Sequence, residues 1–330
     1  MLARELLFSA VPGSLPTVSD VLAARVRIAG RIVRTPLLHR SIAGRDVWLK
    51  AEVLQRTGSF KVRGALNFIL SLDDEVRRRG VVAYSSGNHA QGVASAAADC
   101  GIPATIVMPA DAPKIKTDNT DGYGAKVVPY DRATGDREAI AAEIAADSGG
   151  TLIPPYDHAL TIAGQGVLGL ELLEDLEAAG VAEADVIVPV SGGGLAAGIA
   201  LAAETPGPRL RVFSAEPDTH DDHRQSLEAG RRVQVDSPSP SICDALLQPI
   251  PGELTFQINR ERLAGGVVAS DDEVLSAMRY AFEKLKLVVE PGGAIALAAQ
   301  LAGRVPGTGP VVVVLSGGNV DPVLMTKAIG

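Results

Sequence analysis

Cysteine and aromatic residues are both scarce in this chain of 330 residues. It contains two cysteines, Cys100 and Cys243, and aromatic residues make up 4% of the sequence. Two cysteines so far apart form neither a disulfide framework nor the paired spacing of a zinc site. Alanine, glycine and valine abound instead, and 46% of the residues are hydrophobic. This composition is typical of a tightly packed α/β enzyme with a large buried core.

The sequence also lacks a net positive charge and long apolar runs. The net charge of −8 argues against nucleic acid or an anionic membrane surface as a partner. No apolar run approaches the roughly 18 residues that a membrane span requires. The run Leu6–Val11 is too short for the apolar region of a signal peptide. We therefore expect no membrane partner and a cytoplasmic location.

Strand and helix patterns alternate along the whole sequence. Repeated β-α units predict a mostly parallel, doubly wound α/β fold. The length favours two domains, and prolines at 154 and 155 mark a candidate boundary. We predict a large domain from residues 1–79 and 158–330 and a small domain from residues 80–157. The predicted strands are Val47–Ala51, Gly80–Tyr84, Ala104–Met108, Ala125–Pro129, Val186–Val190, Leu210–Ala215 and Val311–Leu315, and the predicted helices include Ala90–Asp99, Arg137–Asp147, Ala163–Ala179, Ala196–Ala203 and Asp271–Leu285.

One lysine stands at a chemically distinctive place. Lys61 follows a Gly-Ser-Phe turn and precedes an apolar, helix-like run. Beside Phe60 and partly shielded from water, its amine would have a lowered pKa and act as a nucleophile. A solvated lysine at a helix start is the alternative that this segment alone leaves open.

Three glycine-rich turns each follow a predicted strand. Ligands bind at the carboxyl ends of parallel strands, so these turns are candidates for binding. Ser85–His89 and Ser191–Leu195 also precede helices, whose N-termini favour a carboxylate and a phosphate respectively. Ser316–Asn319 offers a hydroxyl for a heteroaromatic nitrogen. Ordinary helix capping and tight strand–helix connections remain as alternatives for each turn taken singly.

Together these four segments resemble the fold-type II pyridoxal-phosphate enzymes, specifically the serine/threonine dehydratase and serine racemase family. The resemblance runs from about Arg34 to Asn319 and includes the pieces Ile162–Gly166, Ala215–Pro217 and Val289–Pro291. It implies a two-domain fold like that of the tryptophan synthase β subunit. The small domain would be mobile and bind the substrate, and the large one would bind the cofactor.

The resemblance also implies roles for single residues. Lys61 matches the lysine that forms the Schiff base with pyridoxal 5′-phosphate, and Ser86 matches the racemase serine on the opposite ring face. Phe60 and Asn88 match ring contacts, and Ser316 matches the partner of the pyridine nitrogen. The phosphate loop corresponds to Ser191, Gly192, Gly193, Gly194 and Leu195, and the substrate-carboxylate loop to Ser85, Ser86, Gly87, Asn88 and His89.

A metal site is implied as well. Glu216, His220 and Asp222 fall where serine racemase binds a divalent cation, with His220 contributing its backbone carbonyl. Oxygen ligands suit magnesium, calcium or manganese. An acidic loop after a strand is the plainer interpretation of the same residues.

The substrate is less well defined by the sequence. Arg137 lies near where serine racemase has an arginine that reaches a second carboxylate, and 3-hydroxyaspartate dehydratases look similar here. A bidentate arginine would explain a preference for a dicarboxylic substrate. A solvated arginine on a polar helix face is the alternative.

Three functions are therefore considered. The favoured one is an ammonia-lyase that removes water and ammonia from threonine, serine or threo-3-hydroxyaspartate to give a 2-oxo acid. The second is an amino-acid racemase that uses Ser86 on the far face. The third is a non-catalytic protein that binds the cofactor or an amino acid, against which intact Lys61, Asn88 and Ser316 argue. The resemblance also implies a homodimer.

Overall fold

Two β-sheets organise the chain, and helices pack against them. The computed structural model describes residues 15–85, 87–112, 114–131, 133–236 and 239–330. The larger sheet has six strands in the order β1-β2-β10-β7-β8-β9. Only the β1–β2 pair is antiparallel, and the other pairs in this sheet are parallel. These strands are β1 (Leu37–Ile42), β2 (Arg45–Ala51), β7 (Glu183–Pro189), β8 (Arg209–Pro217), β9 (Leu263–Ala269) and β10 (Val311–Leu315).

The smaller sheet is formed by consecutive strands from the middle of the sequence. Its order is β5-β4-β3-β6, and all its pairs are parallel. Its strands are β3 (Val81–Tyr84), β4 (Ala104–Pro109), β5 (Lys126–Tyr130) and β6 (Thr151–Leu152). The doubly wound, mostly parallel α/β fold is thereby confirmed. The domain limits at residues 80 and 157 stay a prediction.

Thirteen α-helices lie within the described ranges. They are α1 (Val18–Ile28), α2 (Lys61–Ser71), α3 (Asp74–Arg78), α4 (Asn88–Asp99), α5 (Lys114–Gly122), α6 (Arg137–Ser148), α7 (Ala159–Ala178), α8 (Gly194–Ala202), α9 (Asp222–Ala229), α10 (Glu253–Arg262), α11 (Asp271–Tyr280), α12 (Pro291–Leu301) and α13 (Pro322–Ile329). Short 3-10 turns cover Glu52–Leu54 and Asp244–Leu246. Across the described ranges, none of these helices combines the length and the apolar character needed to span a membrane.

The central strands and helices are apolar because both of their faces are covered. All five residues of β10 are buried, which is typical of a parallel strand between two helix layers. Helices α7 and α8 approach each other at Gly166 and Gly198. A Cβ atom on Gly198 would lie 2.5 Å from the backbone nitrogen of Gly166, so this close contact requires glycine.

Three strands of the structure are not predicted from the sequence patterns. β1 carries exposed polar residues at the sheet edge, β6 has two residues, and β9 contains two glycines. Each departs from the apolar run by which a buried strand is recognised. The helix predicted over Asp271–Leu285 is α-helical to Tyr280 and then widens into a π turn over Ala281–Leu285.

Candidate active site

The Lys61 turn and the turn after β10 are joined by backbone hydrogen bonds. Phe60 N donates to Ser316 O at 3.2 Å, and Gly318 N donates to Gly58 O at 2.8 Å. Since β10 lies in the centre of the large sheet, these bonds hold the start of α2 at the carboxyl edge of that sheet. Ligands of open parallel sheets bind at this edge.

Lys61 is held in a poorly solvated position. Its Nζ donates to the carbonyl of Pro155 at 2.8 Å and lies 5.2 Å from the centre of the Phe60 ring. Burial lowers the pKa of Lys61 from 10.5 to about 8. A substantial fraction of this amine is therefore neutral near physiological pH, as a nucleophile or general base requires.

The Ser191–Leu195 loop forms a close backbone cradle at the start of α8. Gly193 has φ +97°, and a Cβ atom there would lie 2.7 Å from the His223 ring. A Cβ on Gly192 would lie 2.3 Å from the ring of Tyr156. The loop therefore depends on glycine, and its N–H groups at a helix N-terminus suit an anion.

A second helix N-terminus faces the same cavity. Gly87 precedes α4, whose first residues are Asn88 and His89. The buried His89 ring bonds to the carbonyl of Ile153 at 2.9 Å, and burial lowers the pKa of His89 to about 3. His89 is thus neutral, and its backbone N–H is the group it offers at the helix start. Ser86, predicted here from the sequence, lies outside the described residues.

Asn88 is oriented by two neighbours. Its amide nitrogen donates to the Glu290 carboxylate, and its side-chain oxygen accepts from Asn319 Nδ2 at 2.7 Å. Glu290 is 3% exposed, and burial raises the pKa of Glu290 to about 7. Both neighbours belong to segments that the sequence analysis quoted without giving them a role.

Charged side chains from helices and a 3-10 turn around the two sheets line the cavity. The Arg137 guanidinium stacks on the Tyr84 ring at 5.5 Å from its centre. Lys116 in α5 forms an ion pair with Asp244, which connects the small-sheet region to the large-sheet region. Neither Lys116 nor Asp244 was singled out from the sequence, because residues so far apart in the chain give no common pattern.

Most of the predicted site residues lie in one cavity. Its lining includes Phe60, Lys61, Ser85, Gly87, Asn88, His89, Arg137, Ser191, Gly192, Gly193, Gly194, Leu195 and Ser316. The amine, the glycine loop, the α4 N-terminus and the arginine are thus brought together as expected, although they come from four distant parts of the sequence.

The predicted metal residues lie behind the glycine loop. The Glu216 carboxylate lies near the start of α9. It accepts hydrogen bonds from the backbone N–H groups of His223 and Arg224, at 2.8 Å each. Both Asp222 oxygens are buried and have no hydrogen-bond partner among the described residues. Glu216, Asp222 and His223 offer ligand atoms within 4.8 Å of one another. Burial raises the pKa of Glu216 and brings that of Asp222 to about 8.

His223 is the residue that the sequence analysis missed at this cluster, since Asp-Asp-His has no recognised metal spacing. The imidazole of His220 contacts Thr219 Oγ1 at 3.0 Å and is not part of the three-residue cluster. The expected His220 contribution is a backbone carbonyl, which stays a prediction. Two buried carboxylates and unpartnered oxygens fit a hard cation.

Comparison with known families accounts for this arrangement. The model of the family described as "Pyridoxal-phosphate dependent enzyme" matches residues 28–317. The chain belongs to the pyridoxal-phosphate dependent enzymes. This confirms the resemblance drawn from the four motifs.

Relatives of this pyridoxal-phosphate enzyme include lyases and racemases. It is 43% identical over 313 residues to the L-threo-3-hydroxyaspartate ammonia-lyase of Saccharomyces cerevisiae, covering 93% of this chain and 94% of that protein. The crystal structure of the T.th. threonine deaminase matches with a TM-score of 0.84 and 43% identity, covering 93% of this chain and 99% of that one. The structure of maize serine racemase matches with a TM-score of 0.88 and 36% identity, covering 96% of this chain and 97% of that one.

The cavity residues fit pyridoxal phosphate. The cofactor requires an amine and an anion site for its phosphate, which Lys61 and the Ser191–Leu195 loop provide. Ser316, 6% exposed, lines the same cavity. The tight space at Gly192 and Gly193 excludes side chains from the loop and leaves its N–H groups for the anion.

Proposed function

We propose that this enzyme is an ammonia-lyase that converts a β-hydroxy amino acid into a 2-oxo acid and ammonia. The observation that carries the proposal is the placement of Lys61, an anion-binding helix start and Arg137 around one cavity. The similarity to a hydroxyaspartate ammonia-lyase and a threonine deaminase supports the same reaction class.

Lys61 is the group that moves the proton at the substrate Cα. Pyridoxal phosphate, when bound, supplies the electron-withdrawing group that makes this proton acidic. The Lys61 amine would act as the base that removes this proton, because burial lowers the pKa of Lys61 to about 8. The β-hydroxyl leaves with a proton as water, and hydrolysis of the resulting unsaturated amino acid, as its imine tautomer, by one water gives the 2-oxo acid and ammonia.

The substrate carboxylate binds at the N-terminus of α4, where Asn88 and His89 carry the first backbone N–H groups of the helix, while the Gly87 N–H donates to Ser85 Oγ at 3.2 Å. Arg137 lines the same cavity from α6. A guanidinium binds a second carboxylate in bidentate fashion, so L-threo-3-hydroxyaspartate is the substrate that uses all of these groups. Threonine and serine would leave Arg137 without an anionic partner.

A divalent cation is part of the proposal. Glu216, Asp222 and the His220 carbonyl would hold Mg²⁺, Ca²⁺ or Mn²⁺, with His223 as a fourth neighbour. The cluster adjoins the cofactor loop: His223 contacts Asn259 at 2.9 Å, and Asn259 Nδ2 donates to Gly193 O at 3.3 Å. A cation there would stabilise the loop that binds the phosphate.

Racemisation is the second candidate, because maize serine racemase is similar in sequence and fold. Inversion at Cα requires an acid on the ring face opposite Lys61, the role predicted for Ser86. Ser86→Ala is expected to abolish racemisation while elimination is largely retained. Equal loss of both activities would contradict that assignment.

The test of the lyase proposal is 2-oxo acid release by the cofactor-loaded protein. L-threo-3-hydroxyaspartate, L-threonine and L-serine are compared side by side, with wild-type protein, Arg137→Met and a control, Arg40→Met, on an exposed strand. Faster oxaloacetate release that Arg137→Met selectively lowers would support the dicarboxylate preference. Dominant 2-oxobutyrate or pyruvate, insensitive to Arg137→Met, would assign the enzyme to threonine or serine.

Residues 80–157 are proposed to form a mobile substrate-binding domain, tied to the large domain by the Lys116–Asp244 ion pair. A homodimer and a cytoplasmic location remain predictions from the sequence.

A further inference from the structure

Gln165 is a buried polar residue with no assigned role. It lies in α7, is 1% exposed and lines the active-site cavity. Neither its side-chain oxygen nor its side-chain nitrogen has a hydrogen-bond partner among the described residues. Burying an unpaired amide is costly, so such a group in a folded enzyme indicates a missing partner.

The space around Gln165 is kept open by two glycines. A Cβ atom on Gly64, one turn after Lys61, would lie 3.2 Å from Gln165 Cγ. A Cβ on Gly194, in the phosphate loop, would lie 2.8 Å from Gln165 Oε1. The side chain therefore passes between the lysine helix and the loop, and it ends beside the first residue of α8.

The partner must be a group that enters this cavity. The N-terminus of α8 favours an anion, and an amide N–H is a neutral donor that adds to the backbone donors without adding charge. A bound phosphate would satisfy both the helix terminus and the amide.

We propose that Gln165 is a further cofactor-binding residue, whose side-chain amide hydrogen-bonds to the phosphate group of pyridoxal phosphate. Its oxygen would then face the loop at Gly194, and its nitrogen the anion. The phosphate site thus includes a side-chain donor from α7 in addition to the glycine loop.

The test compares two cofactors that differ only in the phosphate. Dissociation constants of pyridoxal phosphate and of pyridoxal are measured on the apoprotein by fluorescence, for wild type, Gln165→Met and Gln165→Glu. For Gln165→Met, pyridoxal phosphate affinity is expected to fall roughly tenfold to a hundredfold, the effect of losing a hydrogen bond to a charged group. Pyridoxal affinity should stay nearly unchanged. Gln165→Glu should show a larger selective loss, because its carboxylate repels the phosphate.

Gln300→Met is the matched control. Gln300 is 6% exposed and its side-chain oxygen is also unpartnered among the described residues, but it lies near the far end of α12. Its substitution should leave the ratio of the two dissociation constants unchanged. Equal losses of pyridoxal phosphate and pyridoxal affinity in the Gln165 variants would overturn the proposal, as would no loss in either. If Gln165→Met does not fold, the nearly isosteric Gln165→Glu still tests the proposal through the ratio of its own two dissociation constants.

Discussion

Asn319 donates one hydrogen bond to the side-chain oxygen of Asn88, at 2.7 Å, and another to the carbonyl of Thr57, at 2.9 Å. A carbonyl only accepts, so the Asn319 atom between these two groups is its nitrogen. The facing atom of Asn88 is therefore its oxygen. Asn88 consequently presents its amide N–H groups toward Glu290 and the cavity.

Replacing Asn319 with aspartate should disturb this orientation. A carboxylate would face two acceptors, and Asn88 would have to rotate and turn its oxygen toward the cavity. We expect a shifted absorption band of the lysine-bound cofactor and a several-fold fall in cofactor affinity, consistent with one hydrogen bond of about 1 kcal/mol. Ser276→Ala, on an exposed helix position, is the control. An unchanged spectrum in Asn319→Asp would show that Asn319 does not orient Asn88.

The lowered pKa of Lys61 predicts how cofactor attachment depends on pH. Below its pKa of about 8 the amine is mostly protonated, so the attachment rate should rise about tenfold per pH unit and level off above pH 8. The rate is followed by absorbance after mixing apoprotein with pyridoxal phosphate. Free lysine acetylated at its α-amine, measured in parallel, corrects for titration of the cofactor. A rate that keeps rising beyond pH 10 would indicate an ordinary, solvated lysine.

A buried ion network lies two residues beyond Lys61. Arg63 pairs with Glu52 at 2.8 Å and with Glu171 at 2.7 Å, and Lys50 pairs with Glu171 at 2.7 Å. Arg63 and Glu52 are fully buried. Burial alone would raise the pKa of Glu52. The Arg63 guanidinium outweighs this effect, so the pKa of Glu52 is lowered. The network fixes α2, and hence Lys61, against α7 and the end of β2.

Arg63→Met should therefore destabilise the protein strongly. Two buried carboxylates would lose their main partner, at a cost of about 3–5 kcal/mol. Arg25→Met is the control, since Arg25 and Glu174 form an ion pair with both side chains nearly half exposed. Exposed ion pairs contribute about 0–1 kcal/mol to the free energy of unfolding. Similar urea midpoints for the two variants would contradict the importance of this network.

The sequence predicts best those parts of the site that depend on local chemistry. The Ser191–Leu195 loop and the α4 start are each encoded by a strand end, small residues and a following helix, and Lys61 is encoded by a Gly-Ser-Phe turn and a following helix. The partners of these groups are not predictable in this way. Glu290 meets Asn88, and Lys116 meets Asp244, only after residues far apart in the chain fold together. No local pattern encodes such pairs.

The same distinction explains the fold predictions. Parallel central strands such as β10 are recognisable because they are continuous apolar runs. The edge strand β1 and the glycine-containing β9 are not recognisable in this way, because β1 carries exposed polar residues and β9 contains glycines instead of an unbroken apolar run. His223 illustrates the limit at the metal cluster: it is adjacent to Asp222 in the sequence, but only the fold brings both within 4.8 Å of the Glu216 ligand atom.

Divalent cations should raise the thermal stability of the loaded enzyme. Ligand binding at a hundred times its dissociation constant stabilises a folded protein by about 2.7 kcal/mol. The melting temperature is measured with Mg²⁺, Ca²⁺, Mn²⁺ or a chelator for wild type and Asp222→Asn. Asp218→Asn, an exposed residue of the same loop, is the control. The rise should be lost only in Asp222→Asn, and a cation effect that survives in this variant would place the cation elsewhere.

The most direct test of the lyase account follows three products in one reaction. Cofactor-loaded protein is given L-serine or L-threo-3-hydroxyaspartate, and ammonia, 2-oxo acid and the inverted amino acid are measured over time. An ammonia-lyase should give equal amounts of ammonia and 2-oxo acid, formed faster than any inverted isomer, and Lys61→Ala should lose all three products. Accumulation of the inverted isomer without ammonia would contradict it and identify the enzyme as a racemase.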